Sequence, residues 1–152
     1  MDPDAAVLSI HEEFADAIFA GTKRFELRRL RPGFGRNARV FVYVPIPRQM
    51  IAGWFRVLEV IEARPSRLWP IVAGSSALTR GAFDAYFAGA PVGFALRIGS
   101  YQRLDRPMPL ASIRQCVSDF APPQGYHYLR DDRPRDLRIR KCIDPQFVAL
   151  AG

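Results

Sequence analysis

A chain of 152 residues that is 49% hydrophobic and 12% aromatic suits one domain with a real core and argues against a disordered segment. Its 22 basic residues outweigh 15 acidic ones for a net charge of +7 and a pI near 10.1, which predicts long-range attraction to polyanions. No apolar run nears membrane-spanning length, and the opening MDPDAAVLSI carries acids where a secretory signal carries basic residues, so the expectation is a cytoplasmic protein that meets no membrane.

VLSI (7–10) reads as a short strand leading into a helix over roughly 10–20, where Ser9 followed by Glu12 forms a capping-box pattern and Gly21 supplies the stop. Phe14, Ala17 and Ile18 share one face of that helix and read as core. From Lys23 to Leu30 the period becomes two, with Phe25 and Leu27 on one side and Arg24, Glu26 and Arg28 on the other. RPGFGR turns the chain, and ARVFVYVP (38–45) is an apolar strand set deep in a sheet. Pro45 and Pro47 force an irregular crossing before MIAGWFRVLEVIEA (50–63) resumes as a long strand with Gly53 as a candidate bulge. PSRLWPIV makes one helical turn. Thr79 caps a helix over 80–88 whose Phe83, Tyr86 and Phe87 stripe reads as core, and Gly89 ends it. PVGFALRIGSYQRL (91–104) is a strand, MPLASIRQCV a short helix, and APPQGYHYL with an arginine-rich tail completes the chain. This order predicts a mixed α+β domain on a curved, largely antiparallel sheet, and no GxGxxG or GxxxxGK[ST] loop favours a doubly wound nucleotide fold.

Charge is unevenly spread. Residues 23–39 carry Lys23, Arg24, Arg28, Arg29, Arg31, Arg36 and Arg39 against Glu26 alone, and residues 130–141 carry six basic groups against Asp131, Asp132 and Asp136. Lys23 is one of only two lysines in a chain that otherwise uses arginine. A retained lysine suits a site that needs a compact, tunable ammonium, although a cation just past a helix end also meets the helix dipole favourably. Glu26, ringed by cations, stays ionised; it can orient Arg28, accept a hydrogen bond from a base edge or accept a proton. Tyr43, Trp54, Tyr126 and Tyr128 are candidate platforms for an unpaired base, a contact worth about 1–3 kcal/mol, though Tyr43 and Trp54 read more simply as core. His127 on a proline-led loop and His11 on the first helical turn are candidate bases without a visible partner. Two isolated cysteines, Cys116 and Cys142, argue against a disulfide framework or zinc site and read as small hydrophobes; no metal or cofactor is expected.

GTKRFELR (21–28) resembles the G-x-K-x-x-E-x-R signature of ASCH domains, which belong to the PUA-like superfamily of small β-barrels associated with RNA. LSIHEEFADAIFAG is similar to the strand and helix before that signature. YVPIPRQMIAG is similar to the family's Y-x-x-x-P-x-x-x-I-x-G strand pair through Tyr43, Pro47, Ile51 and Gly53, and PPQGYHYL to an ending seen in bacterial members. The resemblance implies an α+β fold: a PUA-like curved, mostly antiparallel β-barrel with the first helix covering a cleft and short additional helices. It implies a single domain over 1–129, followed by a basic C-terminal tail over 130–152 that is packed or mobile.

Two functional expectations follow from the resemblance. The first is a nucleic-acid-binding module that takes RNA, single-stranded nucleic acid or a nucleotide through Lys23, Glu26, Arg28, Arg29, Arg31, Tyr43, Arg48 and Tyr126. The alternative is a metal-independent enzyme acting on RNA or a modified nucleoside, of ribonuclease or amidohydrolase type, with Lys23 and Glu26 catalytic. Small superfamily members that deacetylate cytidine nucleosides carry a threonine where this chain has Glu26, so their mechanism does not transfer unchanged. A third expectation is a protein-interaction domain that uses the basic tail.

Overall fold

The structure, a computed structural model, describes residues 2–147. In chain order the elements are β1 (Ala5–Ser9), α1 (Glu12–Phe19), β2 (Phe25–Arg28), β3 (Arg39–Val44), β4 (Met50–Ala63), α2 (Pro65–Val72), α3 (Arg80–Tyr86), β5 (Gly93–Pro109), α4 (Leu110–Cys116), β6 (His127–Tyr128) and α5 (Pro134–Ile143). The strands form one six-stranded sheet in the order β2-β5-β4-β3-β1-β6. β1 and β3 run parallel, and the other pairings are antiparallel.

Curvature comes from the two longest strands. β4 and β5, of 14 and 17 residues, pair with three register shifts, and each shift adds local twist, so the sheet curls into a half-barrel. Gly53 sits at one of them, as the sequence predicts. A Cβ there would run into the Gln102 carbonyl and the Phe19 ring, so only glycine lets α1 and β5 approach β4 this closely.

Strand alternation divides the interior. Ala6, Leu8, Val40, Val42 and Val44 pack with Ala15 and Ile18 of α1. Their odd-numbered neighbours Ala5, Val7, Phe41 and Tyr43 pack on the opposite face with Leu110 and Ile113 of α4 and Ile139 and Ile143 of α5. A third cluster joins Phe25 and Leu27 of β2 to Leu68 and Val72 of α2, to Phe83 of α3 and to Phe87 just after it.

Local details depart from the expectations or decide between them. The Ser9–Glu12 capping box does not form: Ser9 stays in β1 and its hydroxyl donates to the Pro123 carbonyl at 2.7 Å, while His11 occupies the N-cap without a side-chain bond. The strand expected over 23–30 is confined to Phe25–Arg28, and the one expected over 91–104 runs on to Pro109. The APPQGYHYL segment contributes β6, which pairs with β1 through Ala6–Tyr128 and Val7–His127. The described part of the basic tail packs: Arg39 Nη1 meets Asp144 Oδ2 at 2.7 Å and Arg140 Nη1 meets Asp4 Oδ1 at 2.8 Å, which ties α5 to the first and third strands. Residues 148–152 lie outside the described residues.

Candidate functional site

The site begins where α1 stops. Gly21 takes a left-handed conformation (φ +82°) just past the helix, and the Lys23 amide donates back to the Ala17 carbonyl at 3.0 Å. This turn sends Lys23 inward, where it is only 3% exposed. Its Nζ donates to the Ser76 carbonyl at 2.6 Å, lies 3.4 Å from Glu26 Oε1 and sits 5.3 Å from the centre of the Phe14 ring. β2 then alternates as its period predicts. Phe25 and Leu27 enter the third cluster, while Glu26 and Arg28 join Lys23 in lining a cleft of about 630 Å³. Ser9, His11, Phe14, Pro45, Tyr86, Pro123 and Gln124 complete much of the wall. The volume lies within the usual range for small-ligand sites.

One carboxylate joins two cations. Glu26 Oε2 accepts from Arg28 Nη2 at 2.9 Å, and the same nitrogen donates to the Ser9 carbonyl at 3.1 Å. Arg28 Nε is buried and has no acceptor among the described residues. Burial holds the Lys23 ammonium below the usual lysine pKa; the Glu26 charge and hydrogen bond oppose that shift, and Arg28 adds to it. Burial also raises the Tyr86 and Tyr126 phenols, so both remain neutral donors, to the carbonyls of Leu27 at 3.1 Å and Leu30 at 3.0 Å.

Of the residues singled out from sequence, Lys23, Glu26 and Arg28 meet in the cleft, while Tyr126 lies outside its wall, against Arg28. The Tyr126 ring is not a vacant platform: Arg28 lies 5.9 Å from its centre, Tyr128 stacks on it at 5.9 Å and 17°, and Phe34 meets it edge-on at 5.6 Å. Tyr43 is corrected to a core residue, 1% exposed in the cluster beneath α4 and α5, because its position in β3 points to that face. Trp54 is also buried, covered by the Arg39 guanidinium at 4.4 Å. Arg29 donates to the Tyr86 and Ala88 carbonyls at 2.7 and 3.0 Å, at the end of α3. Arg31 pairs with Glu62, and Arg48 grips both oxygens of Asp16 at 2.8 and 2.9 Å. None of Arg29, Arg31 and Arg48 is part of the cleft wall. His127, which lacked a partner in the sequence, lies 3.2 Å from Asp136.

Sequence reasoning missed the Ser76 carbonyl and gave Tyr86 only a core role. A backbone acceptor 53 residues from Lys23 leaves no trace in a linear pattern, whereas Tyr86, the polar-tipped member of an aromatic stripe, offered a weak one. Among the described residues no group of three or more His, Cys, Asp or Glu side chains is placed to hold a metal ion, and no helix is long and apolar enough to cross a membrane.

Comparison with known proteins bears on the family and the fold. A curated relative, the ASCH domain-containing ribonuclease of Zymomonas mobilis, is 28% identical over 136 residues, covering 90% of this chain and 91% of its own. The crystal structure of ASCH from Zymomonas mobilis superposes with a TM-score of 0.80 at 28% identity, over 88% of this chain and 93% of that one. The N-terminal domain of Staphylothermus marinus McrB shares the fold at a TM-score of 0.55 and 13% identity, over 91% of this chain and 93% of that one. Residues 8–91, a span that holds the end of β1, α1, the Lys23–Glu26–Arg28 cluster and the strands β2, β3 and β4, match the ASCH domain family, and the chain belongs to it.

Proposed function

We propose that the cleft binds a single-stranded RNA segment and cleaves it without a metal ion. The sequence reading ranks binding ahead of turnover; a ribonuclease relative matched over nine-tenths of the chain favours the reverse order. The observation that carries the reading is the meeting of an ammonium, a carboxylate and a guanidinium, joined by contacts of 3.4 and 2.9 Å, at the floor of an open cleft.

Each group has a task. Glu26 accepts the proton of a ribose 2′-hydroxyl as its oxygen attacks the adjacent phosphorus. The bond from phosphorus to the 5′-oxygen breaks, and Lys23, made a better acid by burial, protonates the departing oxygen. A 2′,3′-cyclic phosphate and a 5′-hydroxyl result. Arg28, which lines the cleft beside Glu26, faces the charge that grows on the phosphoryl oxygens. At 3.4 Å, Glu26 can return its proton to Lys23 and reset the site. DNA lacks the attacking hydroxyl, so it binds without being cut.

The test is cleavage of a labelled RNA oligonucleotide and its DNA counterpart in the presence of a chelator. The reading predicts cyclic-phosphate ends from RNA alone. Equal cutting of DNA, or activity that needs an added divalent ion, would overturn it.

A further inference from the structure

Beyond Pro123 and Gln124 the cleft gives onto a second groove of about 600 Å³, edged by Arg130, Arg133 and Arg135. A run of stacked side chains joins the two: Arg28 on Tyr126 at 5.9 Å, Tyr126 on Tyr128 at 5.9 Å, and Arg130 on Tyr128 at 5.4 Å. Most carboxylates near the groove already have partners. Asp136 is 5% exposed, lies 3.2 Å from His127 and accepts the Arg130 amide at 3.2 Å. Asp119 pairs with Arg135 at 3.3 Å and Asp131 with Arg140 at 3.5 Å. Arg130 and Arg133 have no carboxylate partner among the described residues; exposed Asp132 is the acid that opposes them.

Resting on the ribonuclease reading of the cleft, we propose that this groove is an exosite for the RNA backbone. The strand whose scissile nucleotide lies over Lys23 and Glu26 continues past Pro123 and Gln124, and Arg130 and Arg133 grip its phosphates. Guanidinium groups suit phosphate oxygens because their paired N–H donors match them in geometry. Recognition here is blind to sequence, since neighbouring side chains already occupy the Tyr126 and Tyr128 rings.

Steady-state cleavage of a dodecamer RNA and of a dinucleotide that fills only the cleft, by wild type, Arg133→Gln and the Arg130→Gln/Arg133→Gln double variant, tests the exosite. On the dodecamer the double variant is expected to raise KM roughly tenfold with kcat unchanged, and to reduce the log–log salt slope by about 1.4, or about 0.7 per lost phosphate contact. Dinucleotide kinetics should not move. Unchanged dodecamer KM, or equal losses on both substrates, would overturn the exosite. If wild type cleaves neither substrate, the ribonuclease reading fails by itself. The exosite is then judged by anisotropy of a labelled DNA dodecamer: weaker binding by both variants upholds it, and unchanged binding removes it.

A separate observation lies on the opposite face. Cys116 Sγ, at the end of α4, is 3.0 Å from Cys142 Sγ on α5; Cys116 is exposed and Cys142 half-buried. Burial and the neighbouring sulfur hold the Cys142 thiol well above the usual range, so Cys116 reacts first. We infer that the pair is an oxidisable staple. The Cys116 thiolate attacks a low-molecular-weight disulfide and releases one small thiol; Cys142 then displaces the second from the mixed disulfide. The protein loses two electrons and two protons, and both appear in the released thiols. The closed loop, residues 116–142, contains Pro123 and Gln124 of the cleft and both exosite arginines.

Incubation with oxidised glutathione, followed by thiol titration, intact mass and thermal melting, tests this staple. Both thiols should disappear together in a monomer, the melting temperature should rise by roughly 5–10 °C, and Cys116→Ser should abolish both effects. A mixed disulfide that persists on Cys116, or thiols that survive, would overturn it.

Discussion

The ammonium of Lys23 lies 3.4 Å from Glu26 Oε1, and at most a tenth of either side chain is exposed. A buried cation that also donates to the Ser76 carbonyl is held in one place, and its charge is balanced by a carboxylate that Arg28 holds from the other side. Fold and chemistry therefore share one group. Glu26→Ala leaves two cations without their carboxylate and should cost about 3–5 kcal/mol of stability, read as a lower denaturation midpoint at unchanged m-value.

Lys23 also sets a pH dependence. Because burial lowers its pKa from 10.5, the alkaline fall of kcat/KM should begin below that value, and Lys23→Arg should remove it. Stability responds in the same range. Between the lowered folded pKa and 10.5 the unfolded chain binds the additional proton, so unfolding free energy rises with pH there. At the acid end the slope has the same sign. The Asp16 carboxyl is lowered from 3.8, first by its hydrogen bonds to Arg48, so its contribution is present above 3.8 and is lost as pH falls through the folded value. Arg48→Gln should flatten the acid side of a plot of melting temperature against pH.

Gly21 positions the lysine. An alanine there must hold φ near +82°, and its Cβ would lie 2.6 Å from the Tyr101 hydroxyl. Gly21→Ala should cost about 1–2 kcal/mol through the left-handed backbone alone. Activity should fall further than stability as Lys23 is displaced, a difference that kcat measured well below the melting temperature reveals.

The C-terminal helix belongs to the fold. Arg39 and Asp144 meet 105 residues apart in sequence, with side chains 7% and 0% exposed. Asp144→Ala should destabilise by about 3–5 kcal/mol, because it strands a buried guanidinium, yet leave kcat and KM on a dinucleotide unchanged while the protein is folded.

Much of this was legible in the chain. The period-two run around Glu26 placed Phe25 and Leu27 against Glu26 and Arg28, and strand alternation kept that promise. Gly21 and Gly53 marked a helix stop and a bulge because no side chain fits their geometry. What stayed hidden depends on tertiary pairing. Arg29, Arg31 and Arg39 read as part of one basic patch, but each is turned by a partner far away in sequence, so linear charge density overstated the cationic surface. The tail composition likewise left a packed and a mobile arrangement open, whereas Ile139 and Ile143 fall on one side of a helix and bury.

Single-turnover cleavage of RNA by Lys23→Met, compared with wild type at equal folded fraction, bears most directly on the cleft. Methionine keeps the apolar stem against Phe14 and removes only the ammonium. The rate should fall by roughly 100–1,000-fold while RNA binding changes little. A variant that cleaves at the wild-type rate would remove Lys23 from the chemistry, and the proposed mechanism with it.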